Sequence, residues 1–332
     1  MKFLIDIFRI RDRVYGTVEI TDPVLVELIS SPAMRRLKGV DQAGYFEPHF
    51  PGTKHSRFEH SVGVCLLLKR YGAPLQEQVA GLIHDVSHSA FSHCIDYVLD
   101  AGSPEKHDHQ DNVFDAFVRK SEIPSILEKY GMNIDFILDD ANFPLKEKKL
   151  PDLCADRIDY SLRSARLYGI LYDADFFLDF LVVKNGDWVF TDFEHARQYA
   201  ELFRTLNTKY YAGMPSAIMF QTVGDCMRYA LNRHYIDQSD LYATDAVVLA
   251  KIHRNLENDA QLRTFFKRMN DRIGFKNDPD DYDHEVVCKS RVVDPFCLDG
   301  DKVKRVSEID TSWEVIVKKE SEPKHYFIKF EK

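Results

Sequence analysis

Apolar positions recur along most of this chain at the three- and four-residue spacing of a helix, and in only a few stretches at the two-residue spacing of a strand. Residues 3–20 alternate and turn at Val14-Tyr15-Gly16-Thr17, which predicts two short strands or a hairpin. Asp22-Pro23 opens a helix carrying Val24, Leu25, Leu28 and Ile29, and Ser31-Pro32 breaks it before a second helix over Ala33–Lys38. Residues 39–56 mix glycine, proline and aromatics without period and read as a loop able to line a pocket. Further helices are predicted over His60–Tyr71 with Gly72 as C-cap, from Pro74 to His84-Asp85, over Ala90–Leu99, and over Pro104–Val118 behind the N-cap Ser103. Two shorter helices fall within 121–140, a charged linker covers 146–149, and Leu150–Tyr168 is a strong helix ending at Gly169. Asn185-Gly186 between two alternating runs marks a hairpin over 181–190. Three helices follow near 192–212, 215–234 and 239–257. After a polar stretch at 274–285, residues 286–292, 303–308, 312–319 and 324–330 read as strands. The expected fold is mainly α: a helical body over 1–260 with a small β-rich, α/β extension over 261–332.

A chain of 332 residues with 45% hydrophobic content can build a large core. The net charge of -9 argues against a nucleic-acid footprint over the whole protein, so a small anionic ligand would need a local basic pocket. The six cysteines form no Cys-x-x-Cys pair and read as buried reduced thiols. Asp6 and Arg9 interrupt what would be the apolar core of a leader, and no uncharged apolar run approaches a membrane span. The expectation is a soluble cytoplasmic protein.

Histidine is concentrated: eight of thirteen lie between His49 and His109. Histidine and carboxylate bind borderline or hard divalent ions and move protons near neutral pH. His84 and Asp85 are adjacent. Inside a helix such neighbours point about 100° apart, but the poor helix former Val86-Ser87-His88-Ser89 ends the helix here. Two neighbours can then close on one ion, with His60 and Asp156 from other helices. This mixed nitrogen and oxygen set, without thiolate, favours one Mn, Fe, Mg or Ni ion over structural zinc. Arg57, three residues before His60, offers a guanidinium that suits phosphate oxygens.

The wider text is Phe50-Pro51-Gly52, Ser56-Arg57-Phe58-Glu59-His60-Ser61-Val62-Gly63-Val64, His84-Asp85-x-x-His88-x-x-Phe91-Ser92-His93 and Asp156-Arg157-x-Asp159-Tyr160. Over residues 8–235 it resembles the HD-domain phosphohydrolases, in their deoxynucleoside triphosphate triphosphohydrolase branch. The resemblance implies an HD-domain helical bundle with His60, His84, Asp85 and Asp156 as ligands of one divalent metal. It also implies His88 and His93 facing the phosphates, His88 as proton donor, and Asp96 paired with a histidine of the next helix as acid–base dyad. That partner is taken as His109, with His107 second and Gln110 an alternative register. Arg57 and Arg157 would hold phosphate, Tyr160 would pack on the sugar, and Gln42 would read its 3′-hydroxyl. The chain departs from the family at Leu206 and Tyr210, where an arginine and a histidine hold distal phosphates; Arg204 and Lys209 remain as phosphate contacts there. The resemblance implies a phosphohydrolase acting on a nucleotide, releasing triphosphate from a (deoxy)nucleoside triphosphate, and a homo-oligomer. A nucleotidase or phosphodiesterase on the same site, or a regulatory nucleotide-binding protein without turnover, are the alternatives.

Overall fold

A computed structural model describes residues 8–99 and 109–331. Ser103, Pro104 and His107 lie outside the described residues. Strands β1 (Phe8–Asp12) and β2 (Gly16–Ile20) form the expected N-terminal hairpin, paired from Phe8↔Ile20 to Asp12↔Gly16. Helices α1 (Pro23–Ser30) and α2 (Pro32–Arg36) follow, split where Ser31 caps the second by accepting from Met34 N–H.

Helix α3 (Arg57–Arg70) is apolar nearly all round, with Val62, Val64, Cys65, Leu66, Leu67 and Leu68 buried, as befits a helix enclosed by others. It begins at Arg57 rather than at His60 because of a capping box. The Ser56 hydroxyl accepts Glu59 N–H at 3.2 Å, and the Glu59 carboxylate accepts Ser56 N–H at 3.1 Å. α4 (Leu75–Ile83) packs along α3. Then come α5 (His109–Lys120), α6 (Ile123–Lys129), α7 (Ile134–Leu138), α8 (Ala155–Leu167) and α9 (Asp175–Leu178). The hairpin β3 (Leu181–Lys184) and β4 (Asp187–Phe190) turns at Asn185 and Gly186, both with positive φ. α10 (Phe193–Leu206) runs into a π-helical turn, Asn207–Tyr211, before α11 (Met214–Asn232), α12 (Asp245–His253) and α13 (Ala260–Met269).

The C-terminal strands are β5 (Phe275–Asn277), β6 (His284–Cys288), β7 (Phe296–Asp299), β8 (Lys302–Arg305) and, after helices α14 (Val306–Ile309) and α15 (Thr311–Glu320), β9 (Lys324–Phe330). One sheet has the order β3-β4-β7-β8, with β7 parallel to β4; the other is β5-β9-β6. The fold is thus mainly α with small sheets. Three apolar clusters hold it together. One gathers α1, α2, α4, α6 and one face of α3. A second lies between the opposite face of α3, α8, α10 and the β3–β4 hairpin, and includes Trp313. A third surrounds α11, α13, β6 and β9.

Three predicted elements are corrected. Residues 312–319 are helical, not a strand: Asp310 caps α15 by accepting from Ser312 N–H, and Trp313, Ile316 and Val317 share a helical stripe toward the second cluster. The β-branched run Val315-Ile316-Val317 carries strand propensity that tertiary packing overrides. The strand over 303–308 ends at Arg305 and gives way to α14. Ala90–Leu99 is no α-helix. Phe91 and Ser92 have φ of 58° and 44°, and only a 3-10 turn, Ser92–Tyr97, follows. The reason is tertiary. Ala90 N–H donates to Leu241 O and Phe91 N–H to buried Asp245, which fixes this stretch against distant parts of the chain while Phe91 and Ser92 take the left-handed region that an α-helix excludes. No helix among the described residues is long and apolar enough to cross a membrane, and all six cysteines are buried and free.

Candidate metal centre

Local structure brings four side chains together. The capping box starts α3 so that His60 lies one turn in, fully buried. α4 ends at Ile83, leaving His84 as its C-cap and Asp85 beyond it, so the two neighbours escape helical divergence. Arg36 holds the following loop by donating to the carbonyls of Val86 and His88, each at 2.7 Å. Asp156 stands in the first turn of α8. His60 Nε2 lies 3.2 Å from His84 Nε2 and 2.9 Å from Asp156 Oδ1. His84 Nε2 lies 3.4 Å from Asp156 Oδ1 and 3.4 Å from Asp85 Oδ1, and His60 Nε2 is 3.6 Å from Asp85 Oδ2.

The outward nitrogens decide what these atoms can hold. His60 Nδ1 lies 2.8 Å from Asp159 Oδ2, and His84 Nδ1 lies 2.7 Å from Gly81 O. Both partners are pure acceptors, so both Nδ1 atoms carry the proton and both Nε2 atoms face inward with lone pairs. Two imidazole lone pairs and two carboxylates therefore converge with no donor among them. A divalent cation satisfies them: His60, His84 and Asp156 form one close group of ligand atoms, and Asp85 adjoins it at 3.4 Å from His84 Nε2. The electrostatics agree. Burial alone would lower the His60 pKa, yet without an ion the carboxylates of Asp156 and Asp159 favour a proton on this ring and lift it to about 9; a bound cation takes the place of that Nε2 proton and restores the lone pair. Asp85 is held well below the carboxylate range against its own burial, chiefly by Arg57, whose Nη1 donates to Oδ2 at 2.7 Å.

Asp159 is itself secured. Arg163 grips it with Nε and Nη2 at 3.0 and 2.9 Å and reaches Asp12 on β1 at 3.0 Å, while Tyr15 OH donates to Asp159 Oδ1 at 2.9 Å. Gly63 makes room for this, since a Cβ there would overlap Arg163 Nη2 and Asp159 Oδ1.

A cleft of about 930 Å³ opens beside the four atoms. Gln42, Arg57, His88, His93, Arg157 and Tyr160 all line it. His88 Nε2 is 3.3 Å from Asp85 Oδ1, and its ring meets that of His93 edge to face at 5.1 Å. Burial, with Arg57 adding to it, pushes His88 down to about 4. His93 Nδ1 stands 3.9 Å from Asp96, which is buried. His109 reaches Asp96 through its main-chain N–H at 3.1 Å, while its ring Nε2 lies 3.2 Å from Tyr242 OH. Arg157 donates to the carbonyls of Asp152 and Lys148 at 2.6 and 3.0 Å. The Tyr160 ring is 6.3 Å from that of His60. Leu206 is fully buried in the core, Arg204 pairs with Glu201 and Glu320, and Lys209 is exposed.

Further residues line the cleft. Gln110 donates to His84 O at 2.7 Å. His55 is buried and kept neutral, its pKa pushed to about 3 by burial and by Arg163. Tyr168 and Tyr210 pack with ring centroids 4.2 Å apart and planes tilted by 36°, forming an aromatic wall. Lys289 and Arg291 arrive from beyond β6. Among the described residues, Gln42 Oε1, His55 Nε2, Arg57 Nη2, His88 Nδ1, Gln110 Oε1, Arg157 Nε and Tyr168 Oη are buried without a hydrogen-bond partner, and all seven belong to residues lining this cleft. So dense a set of unmet polar atoms is the signature of a polar ligand site.

The model of the HD domain matches residues 57–163, a span that contains all four converging residues. The chain is 36% identical over 296 residues to the uncharacterized protein YdhJ of Bacillus subtilis, covering 88% of this chain and 89% of that one. It is 40% identical over 162 residues to the metal-dependent phosphohydrolase cns2 of Cordyceps militaris, covering 49% of this chain and 46% of that one. The deoxynucleoside triphosphate triphosphohydrolase SAMHD1 of Gallus gallus is 32% identical over 167 residues, which cover 43% of this chain and 27% of that protein. Among solved structures, a phosphohydrolase from Bacteroides thetaiotaomicron superposes with a TM-score of 0.71 at 16% identity, over 98% of this chain and all of the other, which is a likeness of fold. The chain belongs to the HD-domain family of metal-dependent phosphohydrolases.

Proposed function

We propose that this phosphohydrolase acts on a nucleotide and splits a (deoxy)nucleoside triphosphate into nucleoside and inorganic triphosphate, with His60, His84, Asp85 and Asp156 as metal ligands. The observation that carries the reading is the cleft itself. Converging lone pairs, cations and an aromatic wall share one cavity with seven unmet polar atoms, which suits a ligand that is polyanionic at one end and planar at the other. The likeness to the triphosphohydrolase, partial as it is, supports the same substrate class.

The chemistry supplied by a divalent ion here is Lewis acidity toward a phosphoryl oxygen and a nucleophilic water. The chain's own groups do the rest. Arg57, fixed on Asp85 and on Ser92 Oγ at 3.0 Å, keeps Nη2 for a phosphate oxygen. His88 is neutral in the free enzyme. A phosphate anion beside it raises its proton affinity, so it can carry a proton to the leaving oxygen. The pair formed by His93 and Asp96 stands next to it as a relay. Tyr160, Tyr168 and Tyr210 offer ring faces to sugar or base, and Gln42 offers Oε1 to a hydroxyl.

The core placement of Leu206 favours a second reading, a nucleotidase or phosphodiesterase, because α10 brings no cation to outer phosphates. Product analysis separates the two. Metal-loaded protein is incubated with nucleoside mono-, di- and triphosphates and cyclic dinucleotides, and products are resolved by anion-exchange chromatography. Intact triphosphate plus nucleoside is the expected result, abolished in Asp85→Ala. Orthophosphate from a monophosphate establishes the second reading, and full activity in Asp85→Ala overturns the assignment of the site.

A further inference from the structure

The C-terminal part of the chain reaches into the cleft at one place. Beyond β6 the backbone continues extended, and residues alternate: Cys288, Ser290 and Val292 are buried, while Lys289 and Arg291 line the cavity. Asn207, fully buried at the junction of α10 and the π turn, fastens this segment at two points. Its Nδ2 donates to Ser290 Oγ at 3.0 Å and its Oδ1 accepts Arg291 N–H at 3.0 Å. Ser290 Oγ in turn donates to Glu320 O at 2.7 Å, and Trp313 Nε1 holds Val293 O at 3.2 Å. Two long cationic side chains are thus mounted on a backbone that α10 and α15 hold still.

Four cations of the cleft pair with carboxylates of the protein. Arg57 pairs with Asp85, Lys146 with Asp140, Lys148 with Asp187 and Arg157 with Glu147. Lys289 lies in a field of mixed sign. Burial and Arg291 push its ammonium down to about 8, Arg157 adds to this, and Asp111 and Asp96 act against it. Arg291 also acts on the Tyr160 hydroxyl. Lys289, Arg291 and Arg157 line the same cleft as Tyr160, and three cations on one cavity suit an anionic ligand.

We propose that Lys289 and Arg291 form the subsite for the outer phosphates of the substrate, so that the segment after β6, rather than α10, selects a polyphosphate. The proposal rests on the nucleotide-phosphohydrolase reading but concerns binding, and binding is measurable without turnover. The position of α10 opposite is taken by Leu206, and Asn207 next to it serves to place the segment instead.

The test uses the full chain loaded with Mn²⁺, with inorganic tripolyphosphate as probe and orthophosphate as control, by calorimetry. The variants are Lys289→Met, Arg291→Met, both together, and Lys289→Arg. Each single loss of charge is expected to raise the tripolyphosphate Kd about tenfold, with the two adding and Lys289→Arg staying near wild type. Orthophosphate affinity moves little, and metal content and melting temperature stay at wild-type values. A double variant that keeps wild-type tripolyphosphate affinity overturns the proposal, as does a wild type that binds tripolyphosphate no better than orthophosphate. Tight, charge-dependent tripolyphosphate binding without hydrolysis of any nucleoside triphosphate supports this subsite and removes only the substrate assignment. Triphosphate hydrolysis with an unaltered KM in the double variant removes this subsite alone.

Discussion

Asp159→Asn tests whether the ion pairs behind the centre set its metal affinity. The Asp159 side chain is fully buried and meets His60 Nδ1, Arg163 twice and Tyr15 OH, all between 2.8 and 3.0 Å. Burial opposes its ionisation, but Arg163 and His60 hold its pKa at about 2. A lowered carboxyl pKa contributes stability that is present above the ordinary value near 4 and is lost as pH falls toward 2; two units correspond to about 3 kcal/mol at neutral pH. Removing one partner of a buried pair costs about 3–5 kcal/mol, and Arg163 retains Asp12, so the lower end of that range is expected. The asparagine also frees His60 from a fixed tautomer. An amide can present its NH₂ to Nδ1, which then turns the Nε2 proton toward the metal. Loss of such a partner weakens metal binding by about 10- to 100-fold. Competition titration against a fluorescent chelator reads the affinity, and melting curves with and without metal separate the two effects. Equal destabilisation of apo and loaded protein, with wild-type metal affinity, refutes the reasoning and leaves Asp159 a structural residue.

Other parts of the account are open to the same kind of test. Gly63→Ala inserts a methyl into Arg163 and Asp159; overpacking of about 1–3 kcal/mol and weaker metal binding are expected, read by melting and by metal titration, whereas wild-type values for both would show that α3 and α8 have slack there. The buried carboxyls of Asp41 and Asp245 are raised to about 7 and about 6, in both cases first by burial, and for Asp41 also by Asp245. A raised carboxyl pKa gives stability that is complete below pH 4 and lost as pH rises toward 7, at about 1.4 kcal/mol per unit. Asp41→Asn keeps the oxygen that accepts Ala43 N–H at 3.0 Å, so its stability relative to wild type should improve from pH 4 to about pH 7 and then level off in denaturant titrations; parallel profiles would contradict this.

Much of the centre was legible because its signals are local. His84-Asp85 at a helix end, the Ser56-x-x-Glu59 cap before His60, and Asp156-Arg157-x-Asp159-Tyr160 on one helix are short patterns whose geometry follows from helix periodicity. The misreadings arose where distant partners overrule local preference. Asp245 captures the main chain at Phe91 and prevents a helix, and α15 forms from β-branched residues because Trp313 needs the core. Lys289 and Arg291 were invisible for the same reason. In the sequence they are charges within the run 286–292 that reads as a strand, whereas β6 ends at Cys288 and the anchor at Asn207 holds them on the cleft. His109 begins α5 with its peptide N–H donating to Asp96 at 3.1 Å, a contact that spacing alone does not specify.

The central claim is that one divalent ion sits among His60, His84, Asp85 and Asp156. Anomalous diffraction at the manganese edge, from crystals of the Mn²⁺-loaded protein, tests it most directly. The account predicts one strong peak within about 2–2.5 Å of His60 Nε2, His84 Nε2 and an oxygen of each aspartate. A peak placed instead between Glu147, Cys154 and Asp156, the other group of ligand atoms that lie close together, or no peak near His60, would contradict it.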